Sequence, residues 1–380
     1  MPWEIAKVEN KRAQFVKSVL DGTATVTALC REYGISRKIG YKWLNRFAAG
    51  DGFVDLSRAP LHVANKTDPG IEAAVVALRE RHPAWGPKKL AKRLSSDFEM
   101  PSLKTVGRIL SRNGLIDSAE SQKRKAFQRF ERPNCNDLWQ ADFKGDFGLE
   151  NGSRCFPFDI LDDRSRFNIS LEARPDFLNV KDCFLSAFRA YGLPKQILTD
   201  NAWCFRGLHN GYTTLERWFI DHDVHPIHGR PYHPQTQGKI ERFHLSMKRE
   251  VLSGRRFADL NEVAIVLKDW RNCYNNERPH EALGGKTPSE VYSPSVREYS
   301  ETVKPFDYDS SMRFCKVNNW GYLRFMSFNI YLSETFKDTR LGVRESKDGS
   351  TFDVIYRNYR IAEINPETAT LLNRTVFRLS

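Results

Sequence analysis

Pro231-Tyr232-His233-Pro234-Gln235-Thr236-Gln237-Gly238-Lys239-Ile240-Glu241-Arg242-Phe243-His244 is the stretch from which the fold is read. Its two prolines forbid a helix across the first four residues. Beyond them Ile240, Phe243, Met247 and Val251 recur at spacings of three and four, an apolar helical stripe. Glu241 lies about 100° round from that stripe. Gln237, His244 and Lys248 share its face. A stiff loop thus delivers a glutamate to the first turns of an amphipathic helix, with amide, imidazole and ammonium groups beside it. A lone glutamate there would read as an ordinary solvated residue.

Two further stretches change that reading. Trp139-Gln140-Ala141-Asp142-Phe143 sets an aspartate inside an alternating strand pattern, and Ile197-Leu198-Thr199-Asp200-Asn201 sets another just after a short apolar strand. An unpaired charge in or beside a sheet is costly unless something binds it. Three carboxylates on separate elements suit a hard divalent ion, which takes oxygen ligands and keeps room for water and phosphate. Two such ions about 4 Å apart can serve both the attacking and the leaving oxygen of a displacement.

These three stretches resemble the integrase-core superfamily of DDE recombinases, which holds retroviral integrases and many bacterial insertion-sequence transposases. Asp142, Asp200 and Glu241 match its acidic triad residue by residue. The likeness continues through Tyr274-Asn275-Asn276-Glu277-Arg278-Pro279-His280-Glu281-Ala282-Leu283 and Thr287-Pro288. It is strong over residues 137–292 and looser on the flanks. Two features depart from the family pattern. Ala202-Trp203-Cys204-Phe205 stands where a glycine usually follows Asp200-Asn201, and the interval from Asp200 to Glu241 is longer than usual.

The 380 residues allow two to four domains, and 40% apolar content allows real cores. No apolar run approaches a membrane helix, and the N-terminus has no signal-like apolar region. Seven cysteines without a C-x-x-C pair point to reduced thiols and away from a zinc knuckle. Of the net +12, residues 1–132 carry +11, with 25 Lys and Arg against 14 Asp and Glu. A basic front on a near-neutral rear fits a nucleic-acid-binding arm on an enzyme core, although a solvated basic surface has the same composition.

The expected architecture is multidomain: N-terminal all-α helix-turn-helix units, an α/β ribonuclease-H-like catalytic core and a C-terminal all-β small barrel. Over residues 1–50, a helix from Asn10 to Leu20 is followed by one capped by Thr25 and one capped by Ser36. On the third, Ile39, Trp43, Leu44 and Phe47 are expected inward. Arg37, Lys38, Tyr41 and Lys42 are expected to face a DNA groove, as the second element of a helix-turn-helix does. Residues 66–118 read as a second such unit, with Leu103, Val106, Ile109 and Leu110 inward and Lys104 and Arg108 outward. Residues 119–136 form a basic linker in which Lys123 and Arg124 can follow a phosphate backbone.

Residues 137–292 read as three consecutive antiparallel strands (Leu138 to Leu149, Arg154 to Asp162, Arg166 to Glu172). Helix, strand, helix, strand and two helices follow, a mixed sheet between helical layers. Asp146, Asp162 and Asp163 are rival carboxylates. Asp162 and Asp163 fall at a turn, where aspartate serves backbone bonding, so all three are left out of the metal site. Asp163→Asn and Glu250→Gln are expected to stay active. Residues 310–380 alternate with turn signals and suggest an SH3-like barrel of unassigned role.

The resemblance implies a DNA transposase holding two Mg²⁺ or Mn²⁺ ions on Asp142, Asp200 and Glu241. It would cleave element ends at terminal inverted repeats and join the 3′-hydroxyls to target DNA, with Tyr232, Gln237 and Lys248 positioning the DNA end. Partners would be double-stranded DNA, both element ends and target, and further copies of the chain, at least a dimer on DNA. No membrane is involved, and the location would be the bacterial cytoplasm with the nucleoid. The rival reading is a non-catalytic, sequence-specific DNA-binding regulator derived from a transposase.

Overall fold

The computed structural model describes residues 5–55, 67–116, 131–207, 211–229, 238–310, 312–346 and 349–379, which divide into two compact units, 1–66 and 67–380. In the first, α1 (Ile5–Leu20), α2 (Val26–Glu32) and α3 (Arg37–Ala48) close over Phe15, Val16, Leu29, Cys30 and Trp43. The Thr25 and Ser36 hydroxyls accept from the Ala28 and Ile39 amides, each at 3.3 Å, so both helices start where the caps predict. Gly34 makes the turn between them at φ +64°, a conformation costly for a side chain.

The buried face of α3 is rotated from the expected one. Ile39 and Phe47 are exposed, and Gly40 and Trp43 are buried. Gly40 causes this: a Cβ there would stand 2.6 Å from Cys30 Sγ, so the bare backbone packs where a side chain could not.

The second unit opens with α4 (Pro69–Arg81), α5 (Pro87–Leu94) and α6 (Leu103–Arg112) around Val75, Trp85, Leu90, Val106, Ile109 and Leu110. Asp68 caps α4 and Ser102 caps α6. Leu103, expected inward, is exposed in the first turn of α6.

A six-stranded mixed sheet follows, built from β1 (Trp139–Phe143), β2 (Phe147–Gly148), β3 (Arg154–Asp162), β4 (Asn168–Arg174), β5 (Gln196–Thr199) and β6 (His225–His228). The expected first strand is broken in two, with Gly145 at φ +93° between β1 and β2. β1 runs antiparallel to β3 and parallel to β5, and β6 runs parallel to β5.

Alternation along β1 and β3 feeds two cores. Trp139, Ala141, Phe158 and Ile160 pack with α7 (Lys181–Tyr191) and α8 (Thr214–Asp221). Cys155 and Leu161 pack on the other side with Phe243 and Met247 of α9 (Gly238–Met247) and with Leu267, Trp270 and Tyr274 of α10 (Leu260–Asn276). Asp142 and Asp159, directly opposite one another in the ladder, therefore face α9. The expected stripe on α9 is buried in full, although its last turn, Lys248–Leu252, is a π-helix.

The C-terminal region is β-rich as expected, but among the described residues its sheet does not close. The main path runs β13 (Thr370–Asn373), β12 (Tyr359–Asn365), β11 (Phe352–Tyr356), β10 (Arg340–Glu345), β7 (Arg313–Lys316). β14 (Phe377–Arg378) pairs with β12, and β8 (Tyr322–Phe325) with β9 (Phe328–Tyr331) forms a separate hairpin. Instead of closing a barrel, this region shares its core with α8 and the residues just before it. Tyr212 and Ile220 are part of its apolar cluster, and the Tyr359 hydroxyl donates to Asp223 at 3.1 Å. No helix among the described residues is long and apolar enough to cross a membrane.

Candidate active site and DNA-facing residues

Asp142 sits on the α9 face of β1, half-buried. Burial and the facing Asp159 carboxylate push its pKa up to about 7, with Asp200 adding to the rise; His244 and the Phe143 amide oppose it. A carboxyl in this position gains from any cation that approaches.

Asp200, half-buried at the end of β5, accepts the Ala202 amide at 2.9 Å. The unusual Ala202-Trp203-Cys204-Phe205 loop is thus a turn closed on the aspartate itself. Phe205 is locked into the core and Trp203 is left outside.

Glu241 is exposed in the first turns of α9. The carboxylates of Asp142, Asp200 and Glu241 do not all lie within 4.8 Å of one another; among the described residues only His82, Cys273 and Glu277 form a group of that spacing. Asp142 and Asp200 are in electrostatic contact, and the three carboxylates do not form one tight shell. A pair of ions about 4 Å apart spans more than one closed shell. The donor set fits such ions: oxygen ligands only, on three elements, around a carboxyl whose own neighbours disfavour its charge.

Asp159 was not singled out from the sequence, and it lies directly opposite Asp142. It is fully buried, and its Oδ1 meets His244 Nε2 at 2.5 Å. Its Oδ2 is buried with no partner among the described residues. Burial raises the Asp159 pKa. Burial acts to lower that of His244, but the Asp159 carboxylate outweighs it and raises it. The two groups are thus tightly paired between β3 and α9. The signal was present: an aspartate inside the apolar run Phe156-Pro157-Phe158-Asp159-Ile160-Leu161 carries the same cost that flagged Asp142. Lys144 was also missed; burial and the nearby Lys248 ammonium lower its pKa.

Asp162 and Asp163 do the bonding their turn suggests. Asp162 accepts from the Asn136 and Ser165 amides, each at 2.8 Å, and from the Ser165 hydroxyl. Asp163 accepts from the Arg132 amide at 2.8 Å and from Lys239 Nζ at 2.5 Å. Glu250 accepts from Arg278 Nε and Trp270 Nε1, each at 3.0 Å. Asp163 and Glu250 are therefore built into the framework, where removing one member leaves a buried partner unpaired. Asp146 pairs with Arg154 at the surface.

Arg37, Lys38, Tyr41 and Lys42 are exposed on α3, Lys104 and Arg108 on α6, and Lys248 just beyond α9. Tyr232, Gln237, Lys123 and Arg124 lie outside the described residues, as does Leu56-Ser57-Arg58-Ala59-Pro60.

Family comparisons agree with this layout. Two Integrase core domain families match residues 132–234 and 222–288. A Helix-turn-helix domain matches residues 11–60 and a Homeodomain-like domain residues 39–110. Residues 132–288 thus match integrase-core models, with helix-turn-helix matches ahead of them. The chain is similar to proteins of insertion elements. It is 25% identical over 252 residues to an uncharacterized 39.2 kDa protein of insertion element IS476 from Xanthomonas euvesicatoria, covering 62% of this chain and 68% of that one. It is 27% identical over 267 residues to the transposase InsD of insertion element IS2 from Escherichia coli, covering 62% and 87%. The HTLV-2 integrase catalytic core domain, solved in complex with magnesium, aligns with 42% of this chain and 97% of its own at 16% identity and a TM-score of 0.33.

Proposed function

We propose that this chain is a DNA transposase of an insertion sequence. It binds the element's terminal inverted repeats, hydrolyses the phosphodiester at each end and joins the freed 3′-hydroxyls to target DNA. The observation that carries the reading is Asp142: a carboxyl pushed up to about 7 by burial and by Asp159 and Asp200, on the face that α9 covers. Such an arrangement is unfavourable for a framework residue and suited to a cation site.

Asp142, Asp200 and Glu241 would hold two Mg²⁺ or Mn²⁺ ions. When bound, these supply Lewis-acid charge to the attacking and leaving oxygens. The protein's own groups do the rest. The His244–Asp159 pair fixes α9 against β3 and sets the charge facing Asp142. Lys144 and Lys248, close enough to influence one another, offer ammonium groups to DNA phosphates beside the acidic face.

Residues 1–50 and 66–118 are the two DNA-binding domains in this reading, 119–136 the linker, 137–292 the catalytic core and 310–380 the tail. Two ends must be cut and joined together, so the active form is at least a dimer on DNA, working in the cytoplasm at the nucleoid.

The test is cleavage and joining of a labelled element-end oligonucleotide with Mg²⁺, Mn²⁺, Ca²⁺ or chelator. Asp142→Asn, Asp200→Asn and Glu241→Gln should each abolish both steps and leave end binding intact. Full activity in any one of them removes that residue from the site. A wild-type protein that binds ends tightly yet cuts with no metal would be a regulator.

A further inference from the structure

His82 follows α4, and Cys273 and Glu277 stand one turn apart at the end of α10. Their ligand atoms, one from each residue, all lie within 4.8 Å of one another. Ligand atoms around a tetrahedral Zn²⁺ sit roughly 3.3–3.8 Å apart, so small rotamer shifts would close the group on an ion.

The group is held from both sides. The His82 ring stacks on the buried Trp85 ring, centroids 4.0 Å apart and planes 10° from parallel, so its orientation does not depend on its nitrogens. His82 Nε2 is buried and has no hydrogen-bond partner among the described residues. A buried polar nitrogen left in that state is costly unless something else satisfies it. On α10, Cys273 and Glu277 are four residues apart and share a face. Cys273 packs against the apolar cluster of α4, α5 and α6, which places the group where the second helical domain meets the core.

We propose that His82, Cys273 and Glu277 form a structural site for a borderline-soft divalent ion of the Zn²⁺ class, separate from the acidic site, that fastens the α4–α6 domain to α10. The donor chemistry favours that class: one imidazole, one sulfur and one carboxylate are the ligands zinc accepts, whereas Mg²⁺ calls for oxygen alone. Charge and atoms balance. On binding, the Cys273 thiol loses its proton to solvent. The thiolate and the Glu277 carboxylate then neutralise the ion, and His82 donates a neutral lone pair. Water completes the fourth position.

The experiment uses the full chain, stripped with chelator and titrated with Co²⁺ as the spectroscopic stand-in for Zn²⁺. One equivalent should produce a sulfur-to-cobalt charge-transfer band and release one proton. Cys273→Ser should abolish the band. His82→Gln and Glu277→Gln should weaken binding by more than the roughly 10–100-fold loss typical of outer-shell partners. His82→Gln, at a half-exposed position, guards against misfolding, and its ion-free melting temperature should match the wild type. Asp142→Asn with Asp200→Asn should leave the band unchanged, which separates this site from the acidic one whatever that one does. A band that survives Cys273→Ser, a full equivalent of Co²⁺ bound without any sulfur signature, or His82→Gln binding as tightly as wild type would each overturn the proposal.

Discussion

At Asp159, in the middle of β3, one carboxylate oxygen meets His244 and the other has no partner among the described residues. Three and four positions on, every oxygen of Asp162 and Asp163 is bonded, to backbone amides, a serine hydroxyl, the Gln140 amide and Lys239. All three aspartates are fully buried, so burial alone does not distinguish them; spare acceptor capacity does. A carboxylate whose lone pairs are all used has nothing left for a cation, whereas Asp159 faces Asp142, whose own pKa shows how poorly the site tolerates two uncompensated charges.

The sharpest way to break this comparison is to make the same change at both ends. Asp142→Asn removes charge where charge is unfavourable, so cleavage should fall to background while the melting temperature holds or rises. Asp163→Asn should do the reverse: it strips Lys239 of its buried partner at a cost of about 3–5 kcal/mol, with activity per folded molecule retained. Chemical denaturation and end-cleavage assays on the two variants decide the matter. A stable, inactive Asp163→Asn, or an unfolded Asp142→Asn, would invert the assignment.

Much of this was legible before any coordinates. Caps at Thr25 and Ser36 are local chemistry, and they set the helix starts where expected. Asp142 stands out in the sequence because a charge interrupts a strand pattern, and Asp200 because one follows an apolar strand at once. Other features depend on what lies across space. His244 was assigned to the Glu241 face by helical period, but its partner Asp159 comes from a strand 85 residues earlier. The rotation of α3 depends on Cys30 and Phe15 lying against Gly40. Alternation in the tail predicts strands, yet whether a sheet closes is decided by long-range pairing, and here Tyr212 and Ile220 fill space that a barrel would have filled itself.

A second, smaller effect tests the framework side through pH. His280 is buried next to Arg278, the arginine that binds Glu250, and burial and that arginine pull its pKa down to about 2 from 6.5. The folded form resists a proton that the unfolded chain accepts. The stability His280 contributes is therefore whole above pH 6.5 and is lost as pH falls toward 2. The slope for one proton is about 1.4 kcal/mol per pH unit. His280→Gln should flatten the stability curve just below 6.5, read by denaturant titration at several pH values. An unchanged slope would mean the imidazole is not shielded as the structure has it.

The smallest expected effect belongs to Lys248, and it asks whether the open end of the comparison faces DNA. Lys248 is exposed on the π-helical turn after α9, and its ammonium helps lower the pKa of Lys144. Two cations this close cost free energy unless an anion sits between them, and a DNA phosphate is the anion the proposed function supplies. If so, Lys248→Ala should leave folding unchanged and weaken end binding modestly, equally for every DNA sequence, because a phosphate contact carries no base information. It should also make the plot of log affinity against log salt shallower by about 0.9, the share of one neutralised phosphate. A matching substitution at Lys239, already bonded to Asp163, should leave the salt slope alone and lower stability instead. Fluorescence anisotropy across a salt series distinguishes the two. An unchanged slope for Lys248→Ala would place the DNA elsewhere and leave the acidic face without its phosphate contact.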